Sequence, residues 1–370
     1  MPILVVINPA CGDRSAKSVF DEAVLPYLEK ESKTVDKIVI TENNTHAGSA
    51  VLEFLESTGG QTTVILGSGD GTLHEIINTL SATEPIGMRA AAAASSALNF
   101  ALVPCGTANA LYASLFPPSP TLDPVAYKLK SVQAFVANAN STPLSLGITA
   151  LSPPPSVKKK PKVAISAVVT STALHAVILH DSEALRLEYP GIERFKIAAQ
   201  NNIARWYNSY VRLLPMSSVG VVQIYDPRKK EFVNHEDSHQ DDPTVDVEGP
   251  FAYFLSTVNV DRLEPSFCIT PLHSTIPPTA ASCDIVMVRP LRDPSLNWDS
   301  EEARLVFVQK ATTVLQGAYK QGSHIDMRYG KNGEIELDGV GPAVVEYIRC
   351  GGWDWIPVSA NLVDLSDPPR

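Results

Sequence analysis

The stretch VILGSGDGTLHEIIN, residues 64–78, decides the fold of the first part of the chain. It opens with an apolar run typical of a buried strand. Three glycines follow within five residues, which allows a sharp turn and a close approach of a ligand to the backbone. Thr72 and Glu75 have the spacing of a capping box, so we expect a helix to begin at Thr72. A strand, a glycine turn and a helix N-terminus together favour an anion such as phosphate.

Asp70 is the unusual residue of this stretch. A carboxylate repels phosphate unless it binds a metal ion or takes up a proton. A Gly-Asp-Gly turn by itself is also common at protein surfaces, so the stretch alone fits a plain surface turn as well as a phosphate site. The other motifs of the chain distinguish a surface turn from a phosphate site.

Composition restricts the class of protein. The 370 residues, 44% of them apolar, suffice for two domains with hydrophobic cores, and no apolar run reaches the roughly 20 residues of a membrane span. The net charge of −10 argues against a nucleic-acid partner. Because residues 2–7 already read as a strand, we expect no leader peptide. The five cysteines lack metal-ligand spacing, which favours a reducing, cytoplasmic location.

Apolar strands and amphipathic helices alternate over residues 1–116. The predicted strands are residues 3–7, 37–40, 62–66 and 100–103, and the predicted helices are residues 15–30, 45–56, 72–80 and a segment from 107. This alternation predicts a parallel sheet with helices on both faces.

After about residue 132 the pattern changes to short β-rich runs, which predict an antiparallel sandwich. Residues 133–136 and 324–329 are among the predicted strands, and two helical segments, 181–210 and 300–316, interrupt them. The polar segment 229–242 is predicted to be a mobile loop.

Three loops follow the predicted strands of the first region. They begin at Asn8, at Gly67 and at Pro104, and each contains glycine. In open α/β sheets ligands bind at the carboxyl ends of the strands, so these loops can converge on one nucleotide. The chain contains no Walker loop and no GxGxxG fingerprint with its downstream acid, which argues against P-loop and dinucleotide-binding folds.

At this point the chain resembles a known family, the catalytic domain of diacylglycerol kinases and sphingosine kinases. Its three signature motifs are matched by NPACG (residues 8–12), GSGDGT (67–72) and PCGTAN (104–109). HEIIN (74–78) is closer to the sphingosine kinase branch, and SEALR (182–186) with GIERF (191–195) resembles a later segment of that branch. SCDIVMVR (282–289) is similar to a late strand of the family. The matches occur in order along nearly the whole chain.

The resemblance implies a Rossmann-like α/β nucleotide-binding domain with a parallel sheet, of the NAD kinase and diacylglycerol kinase type, followed by an antiparallel β-sandwich. We place the nucleotide-binding domain at residues 1–140, which the tail 343–370 could complete, and a β-rich lipid-substrate domain at 141–342. The implied cofactors are ATP and Mg²⁺. The implied substrate is a lipid at a membrane surface, which the protein would contact transiently. The sequence leaves the oligomeric state and the metal ligands open.

The resemblance also assigns site residues. It makes Asp70 the general base on the lipid hydroxyl, in keeping with the need of phosphoryl transfer for a proton acceptor. Arg186 and Arg194 would reach the phosphates from the second domain, although both also fit a surface salt-bridge pattern. The remaining residues implied for nucleotide binding are Asn8, Pro9, Gly12, Thr45, Gly67, Ser68, Gly69, Gly71, Thr72, Glu75, Gly106, Thr107, Asn109 and Asp338.

Two positions depart from the family pattern. Sphingosine kinases carry a headgroup-recognising aspartate where this chain has Leu179, and His180 or Asp181 would have to replace it as substrate contacts. Near the end, Asp338 is kept but Val340 stands where a glutamate is expected, which puts the metal arrangement in doubt.

These observations predict an ATP-dependent lipid kinase acting on a primary hydroxyl, with a sphingoid long-chain base as the first candidate. A diacylglycerol or other lipid-alcohol kinase is the alternative that Leu179 favours. A NAD kinase and a lipid- or nucleotide-binding module without catalysis remain open. The segment 152–162, rich in proline and lysine, is either a solvated hairpin tip or a contact with anionic membranes.

Overall fold

A computed structural model describes residues 1–58, 60–92, 98–119, 121–153, 159–337 and 339–358. The chain divides into two compact units. The first unit comprises Met1–Val168 with two short segments, Pro190–Ile192 and Leu263–Pro265. The second comprises Val169–Tyr189, Glu193–Arg262 and the chain from Ser266 onward.

The first unit contains a four-stranded parallel sheet in the order β2-β1-β3-β4 and a separate antiparallel hairpin, β5-β6. Its strands are β1 (Ile3–Ile7), β2 (Lys37–Ile40), β3 (Thr62–Ser68), β4 (Leu98–Pro104), β5 (Gly147–Leu151) and β6 (Lys162–Ser166). Its helices are α1 (Ala16–Val19), α2 (Leu25–Lys30), α3 (His46–Thr58), α4 (Asp70–Ala82), α5 (Gly87–Ala92), α6 (Ala110–Leu115) and α7 (Pro124–Val136). A π-helical turn, Phe20–Val24, joins α1 to α2.

The centre of the parallel sheet is apolar because its strands are covered on both faces. Every residue of β1 and β3 is buried. One core cluster packs Val5 and Ile65 of these strands against Phe20, Leu28 and Val132 from the helical segments. The parallel α/β sheet predicted from the alternating pattern is confirmed.

Helix α7 corrects one secondary-structure prediction. The Asp123 side chain caps it by accepting hydrogen bonds from the N–H groups of Val125 and Ala126, and the helix continues to Val136. Residues 133–136, predicted as a strand, are therefore its last turn. Their apolar side chains pack at helical spacing on the core, with Phe135 and Val136 lying against it.

The second unit contains a six-stranded antiparallel sheet in the order β10-β9-β16-β13-β12-β7, a three-stranded sheet β11-β8-β17 and a short pair β14-β15. Its strands are β7 (Val169–Thr172), β8 (Ser209–Leu214), β9 (Gln223–Asp226), β10 (Glu231–Asn234), β11 (Val245–Glu248), β12 (Tyr253–Thr257), β13 (Cys283–Val288), β14 (Arg328–Tyr329), β15 (Ile335–Glu336), β16 (Glu346–Cys350) and β17 (Gly352–Pro357). Its helices are α8 (Ala173–Ala184), α9 (Glu193–Asn202), α10 (Leu272–Thr275) and α11 (Glu301–Tyr319), with 3₁₀ turns at Pro290–Arg292 and Ser323–Asp326.

The two larger sheets of the second unit pack as a sandwich. One core cluster contains Val211 of β8 and Val247 of β11 together with Phe254, Ile285 and Ile348 of the larger sheet. Buried and exposed residues alternate along β8 and β11, as expected for a sheet with one solvated face. The predicted antiparallel sandwich is confirmed.

Three local predictions for the second region are wrong. The segment 181–210 was predicted to be helical, but β8 begins at its end. The predicted mobile loop 229–242 contains β10, which pairs with β9. The predicted strand 324–329 begins as a 3₁₀ turn that ends at Asp326, and only Arg328–Tyr329 form a strand, β14. Cross-strand pairing decides the first two cases, because polar residues such as those of β10 are accommodated where one face is solvated.

The division between the units falls after Val168, whereas the sequence placed a domain boundary at residue 140. The hairpin β5-β6 belongs to the first unit because Asn78 of α4 exchanges two hydrogen bonds with the backbone of Ile165. Strands β16 and β17, from the tail that could complete the first domain, pair in the sheets of the second unit. Among the described residues, no helix is long and apolar enough to cross a bilayer.

Candidate active site

The loops that follow β1, β3 and β4 are joined by hydrogen bonds at one edge of the parallel sheet. The Asn8 N–H donates to the Gly67 carbonyl at 2.9 Å, and the Cys105 N–H donates to the Ser68 carbonyl at 3.1 Å. The Thr72 hydroxyl accepts from Asn8 Nδ2 at 3.0 Å and from the Ser68 hydroxyl. Residues from all three predicted motifs therefore meet, as the position of the loops at the strand ends predicted.

Glycines allow these loops to touch backbone to backbone. A Cβ on Gly106 would lie 2.5 Å from the Gly69 Cα, and a Cβ on Gly12 would lie 2.2 Å from the Cys105 carbonyl oxygen. Gly12 also has a φ of +50°, which other residues rarely adopt. Gly67 has a different neighbour, since a Cβ there would collide with the Phe20 ring.

Gly71 differs from the other glycines of the site. A Cβ built on it meets no atom within 4 Å, and the residue is exposed. It lies in the first turn of α4, where helical N–H groups lack partners within the helix. The backbone at this point is therefore open to an incoming group.

Helix α4 begins at Asp70, two residues before the predicted start, with Gly69 as its N-cap. The predicted capping box of Thr72 and Glu75 is wrong. The Thr72 hydroxyl is engaged by the loop after β1, and Glu75 instead accepts the Gly48 N–H at 2.8 Å in the first turn of α3. A carboxylate at that helix N-terminus is stabilising, so Glu75 holds α3 against α4.

The Asp70 carboxylate bridges two helix N-termini. It sits in the first turn of α4, and its oxygens accept the N–H groups of Ala110 at 2.7 Å and Leu111 at 3.1 Å, in the first turn of α6. Burial raises the pKa of Asp70 above its ordinary value, and these backbone hydrogen bonds offset only part of that rise.

A small cavity lies beside Asp70. Its volume is about 20 Å³, room for about one water molecule. Leu66, Leu73, Leu102 and Tyr112 supply its apolar wall. This wall removes water from one side of Asp70, which is the physical origin of the raised pKa.

Asn109 shapes the loop that presents the α6 N–H groups. It adopts a left-handed conformation with φ +57°. Its side chain accepts the Gly106 N–H at 2.9 Å and donates to the Gly106 carbonyl at 2.8 Å. Sequence reasoning missed this local bracing role. It also missed the pairing of Asp70 with α6, because that pairing joins residues about 40 positions apart in the chain. Pro9 and Thr107 lie half-buried in the same loops.

Thr45 lies just before α3 and is exposed. Its hydroxyl and its N–H both donate to the Asn43 side chain, and its carbonyl accepts the Ser49 N–H at 3.3 Å. These bonds fix the start of α3. Asp338, the remaining predicted residue, lies outside the described residues.

The arginines predicted to contact phosphate lie in the second unit. Arg186 pairs with Glu183 at 3.0 Å, and both side chains are more than half exposed. Arg194 is only 3% exposed, with its guanidinium 4.6 Å from the centre of the Phe195 ring. Burial lowers the pKa of Arg194, and the charge of Arg186 lowers it further. The neighbouring Glu183 carboxylate acts in the opposite direction and raises the pKa of Arg194.

The predicted substrate residues lie on α8. Leu179 is 42% exposed. Asp181 accepts hydrogen bonds from His180 Nδ1 at 2.9 Å and from Asn202 Nδ2 of α9 at 2.8 Å, and these bonds lower the pKa of Asp181. Asp181 thus links α8 to α9.

The late motif contains a buried ion pair. Asp284 of β13 accepts hydrogen bonds from Arg349 Nε at 2.7 Å and from the Tyr347 hydroxyl at 2.8 Å. Burial raises the pKa of Asp284, but the bonds from His273 and Arg349 outweigh burial and lower it overall. This aspartate therefore holds neighbouring strands together inside the sandwich.

The geometry at the start of α4 suits an anion such as a phosphate group. An anion at the first turn of α4 would meet the open backbone of Gly71, while the Asp70 charge is turned toward α6. Among the residues that the structure describes, no three His, Cys, Asp or Glu side chains are grouped to hold a metal ion. Mg²⁺ bound to ATP would keep phosphate and water ligands, so the protein would have to supply only one or two carboxylates to hold it.

Part of the chain is similar to known lipid kinases. The family profile described as the diacylglycerol kinase catalytic domain matches residues 2–138. Sphingosine kinase 1 of Mus musculus is 36% identical over 78 residues, which is 21% of this chain and 20% of that protein. Sphingosine kinase 1 of Rattus norvegicus gives the same identity and coverage. Sphingosine kinase B of Dictyostelium discoideum is 32% identical over 113 residues, 30% of this chain and 14% of that protein.

The match thus spans about a fifth of the length of the two rodent proteins. The residues matched by the family profile, 2–138, fall in the unit that carries the three converging loops, and the resemblance seen in the sequence motifs is confirmed. Residues 2–138 thus match the catalytic domain of diacylglycerol kinases, and shorter stretches of the chain are similar to sphingosine kinases.

Proposed function

We propose that this protein is a lipid kinase that transfers the γ-phosphate of ATP to a primary hydroxyl, with a sphingoid long-chain base as its substrate. One observation carries the proposal. In a domain of the diacylglycerol kinase catalytic family, Asp70 lies beside the open backbone of Gly71, held by two N–H groups of α6. The names of the matched relatives support the sphingoid base as substrate.

The glycine loop and the first turn of α4 are assigned to the phosphates. Gly69 and Gly71 supply backbone without side-chain bulk, and the helix dipole favours negative charge there. The hydrogen bonds among Asn8, Ser68 and Thr72 hold the loop in place without ligand. Such preorganisation lowers the cost of fixing the phosphates in line with the acceptor. ATP, when bound, supplies the phosphoryl group.

Asp70 is assigned as the acceptor of the hydroxyl proton. Its raised pKa makes the carboxylate a stronger base than an ordinary aspartate. The bonds from Ala110 and Leu111 fix the orientation of the carboxylate, and each oxygen keeps a further lone pair for the substrate. Arg186 and Arg194 are assigned to phosphate binding, because a planar guanidinium group can donate two hydrogen bonds to phosphate oxygens.

A second candidate substrate is diacylglycerol or another uncharged lipid alcohol. Leu179 favours it, because an exposed leucine cannot pair with the ammonium group of a sphingoid base. Asp181 is partly exposed and offers a carboxylate two residues away, with one lone pair of each oxygen already used by His180 and Asn202. The two substrate classes therefore differ in what α8 can offer their headgroups.

Transfer from radiolabelled ATP, measured against a panel of sphingoid bases, diacylglycerol, other lipid alcohols and NAD, tests the proposal. We expect label in a sphingoid base phosphate, formed about 10²–10⁴ times more slowly by the Asp70→Asn variant. Label in diacylglycerol alone would move the assignment to the second candidate. Label in NAD alone, or in no acceptor despite measurable ATP binding, would contradict a lipid kinase.

A further inference from the structure

The hairpin β5-β6 exposes an apolar face. Ile148 stands opposite Ile165, and Ala150 stands opposite Val163, so these four side chains share one face of the two-stranded sheet. Ile148 is 74% exposed and Val163 is 57% exposed. Aliphatic side chains in such a cluster are unusual at a purely solvated surface. We call Ile148, Ala150, Val163 and Ile165 the hairpin face.

The chain around the hairpin face is basic. Residues 124–180 contain six lysines and no aspartate, glutamate or arginine, although the whole chain carries a net charge of −10. Three of these lysines, Lys159, Lys160 and Lys162, lie exposed at the end of the hairpin. Lys162 stands opposite Leu151, which is also exposed, on the face of the hairpin away from Ile148 and Val163. Basic groups thus lie at the end of the same hairpin that carries the exposed apolar side chains.

We propose that the hairpin face and these three lysines form a docking surface for anionic lipid bilayers. The inference rests on the proposed function, because a lipid kinase meets its lipid substrate at a membrane interface. Each lysine near an anionic leaflet contributes only weakly, and stable binding needs a second, apolar contribution. The hairpin provides both on one element. A protein partner with an acidic surface is a different proposal. The vesicle experiment below distinguishes the two, because it contains lipid and no second protein.

The hairpin is held rigidly enough to serve as a docking element. An isolated two-stranded hairpin is marginally stable in water. Here Asn78 of α4 donates to the Ile165 carbonyl at 2.7 Å and accepts the Ile165 N–H at 2.8 Å. These bonds fix the hairpin without covering Ile148 and Val163. The surface is therefore preformed and needs no folding on contact with lipid.

Vesicle co-sedimentation of the full chain tests the proposal. The first variant is Ile148→Thr with Val163→Thr, since threonine keeps the β-branched shape that favours a strand. Its matched control is Ile38→Thr with Ile40→Thr, two exposed isoleucines on the edge strand β2. Phosphatidylcholine vesicles with and without phosphatidylserine are the probe. We expect binding to anionic vesicles to fall about tenfold in the hairpin variant and to persist in the control.

A second variant replaces Lys159, Lys160 and Lys162 with glutamine, with Lys229, Lys320 and Lys331 as its exposed control set. We expect up to about a hundredfold loss in the first variant, together with loss of salt sensitivity, and no comparable change in the control. Equal vesicle binding by wild type and both hairpin variants would overturn the proposal. So would a dimer that dissociates in the hairpin variants while vesicle binding stays unchanged, because the face would then join two copies.

Turnover of a water-soluble, short-chain substrate separates this inference from the proposed function. We expect the hairpin variants to phosphorylate such a substrate at the wild-type rate, because they change the docking surface alone. A chain that binds anionic vesicles but phosphorylates no lipid would refute the proposed function and leave the docking surface standing. Phosphorylation of soluble substrate without any vesicle binding would refute the docking surface alone.

Discussion

Gly69 and Gly106 approach so closely that a Cβ on Gly106 would lie 2.5 Å from the Gly69 Cα. The loops after β3 and β4 therefore have no room for a side chain between them. We expect Gly106→Ala to push the loops apart and to lower the free energy of unfolding by about 1–3 kcal/mol, as for other overpacked sites. Urea unfolding measures this, and a variant as stable as wild type would show that the contact is looser than the structure indicates.

Gly71→Ala is expected to behave in the opposite way. Its Cβ would meet no atom within 4 Å, so the unfolding free energy should change by no more than about 1 kcal/mol. The added methyl group would nevertheless stand where the phosphates approach the first turn of α4. We expect ATP affinity, measured by calorimetry, to fall about tenfold or more. Unchanged affinity would remove Gly71 from the phosphate site.

Asp70→Asn is expected to fold and to bind ATP while losing turnover by about 10²–10⁴, the usual range for a positioned acid–base group. The amide cannot accept from both Ala110 and Leu111, because one side-chain atom becomes a donor. We therefore also expect a stability loss of about 1 kcal/mol, as for a lost helix cap. Turnover within about threefold of wild type would rule out Asp70 as the base.

The pH dependence of kcat/KM should report on Asp70. The pKa of Asp70 in the folded protein is raised. The carboxyl group therefore loses its proton, and becomes able to act as a base, at a higher pH than an ordinary aspartate does. We expect the acidic limb of the profile to lie above the usual aspartate range and to disappear from the residual activity of Asp70→Asn. The stability that protonated Asp70 contributes should be lost as the pH rises through the folded pKa. An acidic limb at the ordinary aspartate value would contradict this assignment.

Arg186→Ala is expected to weaken ATP binding about tenfold with little effect on stability. The side chain is exposed, and surface salt bridges such as Arg186–Glu183 contribute about 0–1 kcal/mol. Lys196→Ala is a matched control, because Lys196 pairs with Glu193 at the same spacing and similar exposure. If both variants bind ATP like wild type, Arg186 is a surface ion pair without a role at the phosphates.

The sequence was sufficient for the parallel sheet and for the meeting of the three loops, because buried parallel strands read as apolar runs and their carboxyl ends share one edge. The sequence did not predict hydrogen bonds between residues that are far apart in the chain. Thr72 and Glu75 have the spacing of a capping box, yet their side chains bond to Asn8 and Gly48. Likewise, no local pattern indicates that Asp70 accepts the α6 N–H groups.

Helix α4 carries Asp70 in its first turn and Asn78 two turns later, and Asn78 binds the hairpin through a pair of hydrogen bonds. Eight residues of α-helix span about 12 Å. Helix α4 thus joins the hairpin to the Asp70 carboxylate as one rigid element, and a displacement of the hairpin is transmitted to the carboxylate. When the hairpin binds a bilayer, α4 would thereby fix the distance and the orientation of the phosphate-binding loop relative to the lipid surface.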